Sequence, residues 1–403
     1  MKRFVALFAT LDTKGTEAGY LCDRLRERGV AVRLVDCGTL GQPAVAADVT
    51  RDEVLAAAGT SLAELAQKGE RGEAVNAAAR GASELAKRWH AAGELAGVLG
   101  LGGSAGTTIG TAAMRALPLG VPKLMVSTLA SGSVGHYVGS ADLLMMNAVV
   151  DISGLNRISR TVLARAAQAM AGMATGELPK AEASDRPIVA ATMFGVTTPC
   201  VEHARKLLEA AGFEVLVFHA TGSGGRAMES LIDAGMIAGV LDVTTTELAD
   251  ELVGGVLSAG PERLTAAARA GIPQVVSVGA LDMVNFLGFD TVPAKFQGRL
   301  FHRHNANVTL MRTTPEENAA LGRELATKVA RSSGPAHLFL PLRGVSALDQ
   351  AGQSFDSPAA RTALWTAIRA HAGHVPVSEL DLHVNDPAFA EAMVHALIGM
   401  LRG

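Results

Sequence analysis

The sequence predicts an α/β protein of two Rossmann-like subdomains with parallel sheets, related by an internal duplication, and three observations carry that reading. Strand-like apolar runs alternate with helix-length segments along the chain, the pattern of a parallel sheet covered on both faces. Short glycine-bearing turns join them, with Gly29 and Gly212 each standing where a helix ends and a strand follows. The same elements also recur in the same order in both halves. Ala9-Thr10 and Ala191-Thr192 fall at the end of a first strand, GVLGL at 97–101 answers GVLDV at 239–243, and GVPKLMVS at 120–127 answers GIPQVVSV at 271–278.

Taken in order, the first half reads as a strand (3–10), a polar loop (12–15), a helix (17–28) and a strand (31–36). An Ala/Glu/Lys/Arg-rich stretch at about 51–93 has helical spacing and predicts surface helices inserted between strands. The second half starts again at Pro187 with a strand (188–193), a loop (195–199), a helix (201–211) and a strand (214–219). Between the halves, GELPKAEASDR at 176–186 is polar and lacks apolar periodicity, so it is the expected linker. The division is accordingly 1–180, a nucleotide-binding subdomain with the helical insertion, and 181–403, a second Rossmann-like subdomain with a C-terminal extension. That extension, ELDLHVNDPAFAEAMVHALIGML at 379–401, reads as a short strand, an Asn-Asp-Pro helix start and an amphipathic helix.

Composition limits the partners. Net charge is -3 and the pI about 6.4, so no basic field draws in DNA or RNA. Cys22, Cys37 and Cys200 have no CxxC spacing, which argues against a disulfide framework or structural zinc and for a reducing compartment. Charged residues interrupt the apolar run at 4–9 too early for a signal peptide, and no stretch is long enough to span a membrane. The expectation is a cytoplasmic protein that avoids nucleic acid and membrane, with a homodimer as the default assembly.

In an open parallel sheet the ligand crevice lies beyond the C-terminal strand ends. Three loops of the first half stand there. LDTKGTE at 11–17 places Asp12, Thr13 and Lys14 before a helix N-terminus, where N–H groups and the helix dipole favour an anion; simple capping by Asp12 or Thr13 is the plainer reading. GLGGSAGTTIG at 100–110 is the strongest anion-loop signal, with Gly102, Gly103 and Gly106 allowing close backbone approach and Ser104 and Thr107 offering hydroxyls. It lacks the GK[ST] ending of a Walker A loop and fits the dinucleotide fingerprint only loosely. STLASG at 127–132 adds Ser131 and Gly132, and Asp36 ends the second strand where a carboxylate can accept from ribose hydroxyls.

The second half repeats the pattern. FHATGSGGRAME at 218–229 sets His219 before a second glycine-rich loop, 222–225, and the residues leave open whether that loop holds its own ligand. DVTTTELADE at 242–251 reads chiefly as helix capping, with Glu247 and Asp250 in the first turns. GALDMVNF brings Asp282 to a strand end, and FHRHNANVTLMRTT supplies His302, His304 and Arg312. No third ligand stands at a metal-site spacing beside the two histidines, so no metal is expected.

Eleven phrases together resemble one bacterial family without an assigned reaction: ATLDTKGTE, GLGGSAGT, MRALPLGVPK, STLASG, DISGLNRIS, MFGVTTPCV, FHATGSGGRAME, LDVTTTELADE, GALDMVNF, HNANVTLMRTT and LRGVSALD. The same family forms the ATP-binding amino-terminal region of the plant tobamovirus-resistance protein. The resemblance implies paired Rossmann-like subdomains, ATP as ligand with Mg2+ as an optional companion, dimerisation, and a TIM-barrel partner protein encoded separately. It points to Asp12, Thr13, Lys14, Gly102, Gly103, Ser104, Gly106 and Thr107 for nucleotide contact. Ala105 and Ala306 depart from its pattern, which has glycine and proline there. The functional expectation is therefore an ATP-binding protein whose ligand sits on the strand-end loops of the first half, at a cleft between the halves. The alternative is an enzyme acting on a small phosphorylated or carboxylated metabolite in that cleft, with His219, Asp282, His304 and Arg312 as acid/base and anion-clamp groups.

Overall fold

Phe4–Ala9, FVALFA, is apolar throughout and buried at all six positions, as a strand covered on both faces requires. In the computed structural model, which describes residues 3–68, 71–177 and 185–403, it forms β1 of a five-stranded parallel sheet. Its companions are β2 (Ala31–Asp36), β3 (Leu95–Gly102), β4 (Lys123–Ser127) and β5 (Leu144–Asn147), in the order β2-β1-β3-β4-β5. The helices are α1 (Leu11–Arg26), α2 (Arg51–Ala57), α3 (Leu62–Lys68), α4 (Arg71–Ala91), α5 (Ser104–Arg115), α6 (Gly135–Val138) and α7 (Arg157–Thr175). On one face of the sheet Leu21 and Leu25 of α1 and Leu163 and Met170 of α7 pack with Val5, Leu7 and Leu99. On the other, Ala82 and Trp89 of α4 and Ile109 and Met114 of α5 pack with Phe4, Phe8 and Val98.

The second unit is built on a six-stranded parallel sheet in the order β14-β13-β9-β8-β6-β7. Its strands and helices run β6 (Ile188–Met193), α8 (Thr198–Ala210), β7 (Glu214–His219), α9 (Ser223–Asp233), β8 (Gly239–Thr244), α10 (Glu247–Val253), α11 (Ala266–Ala270) and β9 (Gln274–Gly279). There follow β10 (Met283–Phe286), β11 (Phe301–Asn305), β12 (Val308–Arg312), α12 (Pro315–Val329), β13 (Ala336–Pro341), α13 (Pro358–His371), β14 (Val377–Leu380) and α14 (Pro387–Arg402). The run β7-β6-β8-β9 repeats the run β2-β1-β3-β4 of the first sheet, which is the duplication expressed as topology. A small antiparallel sheet, β10-β12-β11, is an addition that strand-and-helix alternation does not announce.

The chain divides into two compact units, residues 1–180 and 181–403. Most of the expected linker at 176–186 lies outside the described residues. All three cysteines are free and buried, and burial pushes the Cys22 thiol up to about 11 and the Cys200 thiol up to about 12, so both stay protonated at neutral pH. Among the described residues, no helix is long and apolar enough to cross a membrane.

The second unit carries a buried charge cluster beneath its sheet edge. Arg263 donates to both oxygens of Asp242, at 2.6 and 2.8 Å, and from Nε to Glu247 at 2.7 Å, with all three side chains essentially inaccessible to solvent. Replacing Arg263 by Met leaves two buried carboxylates without their cation, a loss of roughly 3–5 kcal/mol. The expected outcome for Arg263→Met is a much lower urea midpoint for the second unit, measured by chemical denaturation.

Candidate functional site

In the first sheet the strand order reverses between β1 and β3, and in open α/β sheets ligands bind outside the carboxyl ends at such a point. Ala9 and Leu101 stand opposite each other there, so Thr10–Gly15 and Gly102–Gly106 form the two lips. The first lip is not the open loop the sequence suggests. Thr10 is directly followed by α1, because its carbonyl accepts from the N–H groups of both Thr13 and Lys14, and only Lys14 leaves helical geometry (φ -127°, ψ 16°).

The polar side chains of this lip are committed to neighbouring loops. Asp12 accepts from the N–H groups of Leu40 and Gly41 at 2.9 and 3.2 Å, and the Thr13 and Thr10 hydroxyls lie 2.9 Å apart. The Lys14 ammonium donates to the Ile152 carbonyl, while the buried Glu17 carboxylate accepts from Gly154 N–H at 2.5 Å. Asp36 accepts from Leu11 N–H, Gly38 N–H and the Arg51 guanidinium. Glu17 and Arg51 were not singled out in the sequence, although Glu17 sits inside the LDTKGTE phrase.

The second lip is different. The N–H groups of Ser104, Ala105 and Gly106, the first turn of α5, find no acceptor among the described residues. Ser104 is exposed, and Gly103 and Ala105 are half-buried. The glycines divide by role: a Cβ on Gly102 meets Gly106 Cα at 2.8 Å and one on Gly106 meets the Leu101 carbonyl at 2.8 Å, so both are needed for helix–strand packing. A Cβ on Gly103 meets only Thr128 Oγ1, at 3.6 Å. The Thr107 hydroxyl is spent on the Gly103 carbonyl and the Ser127 hydroxyl, both at 2.7 Å, whereas Ser131 and Gly132 lie exposed beyond β4. Two hollows of this unit lie elsewhere: one of about 580 Å³ among α2, α4 and α5, reached by Thr108 and Arg115, and one of about 380 Å³ at the opposite sheet edge near Lys123.

The second unit fills its own sheet edge. Glu247 Oε1 accepts from Gly222 N–H at 2.6 Å and Gly225 N–H at 3.1 Å, so the anion at the 222–225 loop is the protein's own carboxylate. The irregular segment 342–357 lies over the strand ends: Val345 carbonyl accepts from Ala280 N–H, Ala347 N–H donates to Val196 carbonyl, and the fully buried Phe355 packs with Ala280, Met283 and Leu310.

Of the four acid/base candidates, the fold joins two. Arg312 donates to the Asp282 carbonyl at 3.2 Å and to Asp349 Oδ1 at 3.1 Å, all within the buried anchorage of segment 342–357. His219 ends β7, the edge strand, three strand positions from β9, roughly 14 Å away at the usual strand spacing. His304 is exposed on β11. Asp282 is fully buried; Oδ2 accepts from the Ser346 hydroxyl at 2.8 Å and Oδ1 has no partner. No group of three or more His, Cys, Asp or Glu side chains among the described residues could hold a metal ion.

Two halves of one uncharacterised family match the chain end to end: the N-terminal domain of UPF0261 over residues 3–179 and its C-terminal domain over 186–401. The chain belongs to the UPF0261 family. It is 46% identical to a UPF0261 protein of Clostridium tetani over the full length of both chains, and 49% identical to one of Rhizobium meliloti over 98% of each. The tomato ToMV resistance protein Tm-1(GCR237) is 46% identical over 75% of this chain and 41% of its own length. Among solved structures, the glycosyltransferase SnogD of Streptomyces nogalater aligns over 99% of this chain and 100% of its own at 12% identity with a TM-score of 0.21, a likeness too low to carry an argument.

Burial raises two aspartates of this UPF0261 chain, Asp250 and Asp282, to about 7. Burial first, and the charge of Asp349 second, push Asp282 up to about 7 against the opposing pull of Arg312 and the Ser346 hydroxyl. An unfolded Asp titrates near ~3.9, so between about pH 4 and 7 the folded chain keeps a proton that the unfolded chain releases. Stability from this group is therefore full below pH 4 and lost as pH rises to 7. Asp282→Asn, a neutral isostere, is expected to flatten that slope and to melt higher than the parent at pH 8, measured by melting temperature from pH 5 to 8.

Proposed function

We propose that the first unit binds ATP, with the phosphates received by the amino end of α5 and the loop Gly102–Gly106. The observation that carries this reading is the trio of N–H groups at Ser104, Ala105 and Gly106, left without an acceptor at the point where the strand order reverses. Such donors, aligned with a twelve-residue helix, favour a negatively charged oxygen by hydrogen bonding and by the helix dipole together. The residues present fit a phosphate group. Gly103 has room for close approach, no carboxylate accepts from this helix start among the described residues, and the exposed Ser104 hydroxyl can donate. In the second unit the glycine-rich loop 222–225, which follows β7, is filled internally by Glu247.

The remaining lip residues have positioning roles in this reading. Asp12, Lys14 and Glu17 hold the loops after β2 and β5 against α1, and Gly102 and Gly106 set the distance between α5 and β3. The likeness to the tomato protein supports a nucleotide through the shared family and does not extend to that protein's role in virus resistance.

Thermal shift tests the reading. ATP at ~100 times its dissociation constant stabilises by about 2.7 kcal/mol, a rise of several degrees for a unit of this size. Gly103→Val has an open Cβ position, so the unliganded variant is expected to melt within a degree or two of the parent and to lose the ATP-induced rise. No rise with the parent at millimolar ATP, or an undiminished rise with Gly103→Val, rejects the site.

A further inference from the structure

We propose that Asp250 and Asn285 form a proton-linked latch where α10 meets β10, in which the Asn285 amide turns over as the Asp250 carboxylate gains or loses a proton. Both side chains are buried, Asp250 completely and Asn285 to within 1%. The two carboxylate oxygens differ in what they hold. Oδ1 accepts from two backbone groups, Asn285 N–H at 3.0 Å and Leu257 N–H at 3.3 Å, whereas Oδ2 accepts only from the Asn285 amide nitrogen, at 2.6 Å. Gly255 closes the space beside Oδ1, since a Cβ there falls 1.8 Å from it. A proton therefore goes to Oδ2, the oxygen with a single side-chain partner.

Asp242 and Asp349 each meet an arginine, but no lysine or arginine pairs with Asp250 among the described residues. Helix α12 meets α10 through apolar groups, with Leu321 and Leu325 packed among Leu248 and Ala249. From β10 the facing polar group is Asn285, and from the loop after α10 it is the Leu257 N–H. On α10 itself Glu247 is already bonded to Arg263 and Glu251 to the Ser258 hydroxyl; Lys295 lies beside Gly254, with its ammonium 3.8 Å from a Cβ built there. Burial is the main cause that lifts Asp250 to about 7, the bonds from Asn285 and Leu257 oppose it, and the charge of Glu247 adds to it.

Asn285 has a partner for each state. Its Oδ1 is buried and accepts from no group among the described residues. With Asp250 ionised, Nδ2 donates to Oδ2 of the acid. With Oδ2 protonated, the same arrangement sets a hydroxyl against an N–H donor. A half-turn about the Cβ–Cγ bond exchanges the amide oxygen and nitrogen, and the Asn285 oxygen then accepts from the new hydroxyl. Thr246 Oγ1, 3.4 Å from Nδ2 and only 3.5 Å from the Met283 carbonyl, is free to turn its hydroxyl with the amide. The two backbone bonds to Asp250 Oδ1 and the bond from Val256 N–H to the Asn285 carbonyl, at 2.9 Å, persist in both states. The latch thus lets the second unit take up a proton near neutral pH while β10 and residues 255–257 stay joined to α10.

Asp282, at the other end of β10, titrates in the same range, so the test uses the full chain carrying Asp282→Asn, in which the share of the pH dependence due to Asp250 remains. The side-chain amide signal of Asn285, assigned in nitrogen-15 NMR by its absence from Asn285→Ser, is expected to shift between pH 5 and 8 with its midpoint near 7, and to stand still once Asp250→Asn is added. That second substitution imitates the protonated acid, because its amide nitrogen donates to the turned-over Asn285 and its oxygen keeps the two backbone donors. An unfolded Asp titrates near ~3.9, so a raised group in the fold stabilises most at low pH and loses that stability as pH rises through 7. In urea denaturation the folded-to-unfolded ratio of the Asp282→Asn chain is expected to fall roughly 100-fold from pH 5 to 8, whereas adding Asp250→Asn is expected to match it at pH 5 and stay level. An Asn285 signal that ignores pH, or that moves equally with Asp250→Asn present, overturns the latch. A urea midpoint at pH 5 well below that of the Asp282→Asn chain, down to failure to fold, also overturns it, since it means two amide nitrogens were left facing each other.

Discussion

A helix that follows a strand in a parallel sheet points three or four unpaired N–H groups, and the positive end of its dipole, at the carboxyl edge of that sheet. Those donors need an acceptor from a side chain, from water or from a ligand. Much of the polar architecture of both units follows from this demand. In the second unit Glu247 reaches α9, and Glu229 of α9 accepts from Leu264, Thr265 and Ala266 to start α11. The same two carboxylates, with Asp242, then need a cation, and Arg263 is that cation. In the first unit α5 begins with no such carboxylate among the described residues.

The solution in the second unit comes at a cost that explains the rest of its edge. Burying Arg263 with Asp242, Glu229 and Glu247 leaves more negative than positive charge in one place, and only a dry, rigid surround makes the attraction large enough to offset desolvation. Segment 342–357 helps to cover that edge. It is itself pinned by a second charged cluster in which Asp349 accepts from Arg312 and Arg361, and Arg361 also donates to Asp356. Two arginines meet Asp349 and Asp356 there, while the Asp282 carboxylate, beside them, has only the Ser346 hydroxyl. Burial, and then the charge of Asp349 beside it, raise the affinity of Asp282 for its proton. Segment 342–357 thus makes a sealing contact over the strand ends.

Much of the fold is legible in the residues because both periodicity and punctuation are strong. Strands at 31–36, 188–193 and 214–219 agree with expectation residue for residue, being apolar runs entered through or close to glycine or proline. Asn-Asp-Pro does start α14, with Asp386 at its cap position. The β11–β12 hairpin is not legible, since its turn at Ala306-Asn307 has no glycine and its side chains do not alternate cleanly. Asp12–Lys14 reads as loop because Gly15 and Thr16 interrupt helical spacing, yet one carbonyl, that of Thr10, is enough to wind the first turn.

The candidate site shows why a glycine-rich phrase is ambiguous. GLGGSAG and TGSGG both precede helices, and both need glycine: Gly224 lies so close to the His219 carbonyl that a Cβ falls 1.9 Å away, and Gly225 leaves 2.2 Å to Glu247. Backbone crowding therefore accounts for glycine whether the anion outside the helix is a ligand or a side chain. The discriminating residue lies beyond the phrase, on the next strand-end loop. After β8 that loop is TTTELADE, which brings Glu247 to α9; after β4 it is STLASGS, which offers hydroxyls and no acid. The acids of the lip on the β1 side, Asp12 and Glu17, are already held by Leu40, Gly41 and Gly154. Glycine in a strand-end loop thus reports close packing of helix on strand, and in the loop 222–225 the anion beside it is the carboxylate of Glu247 from the neighbouring loop.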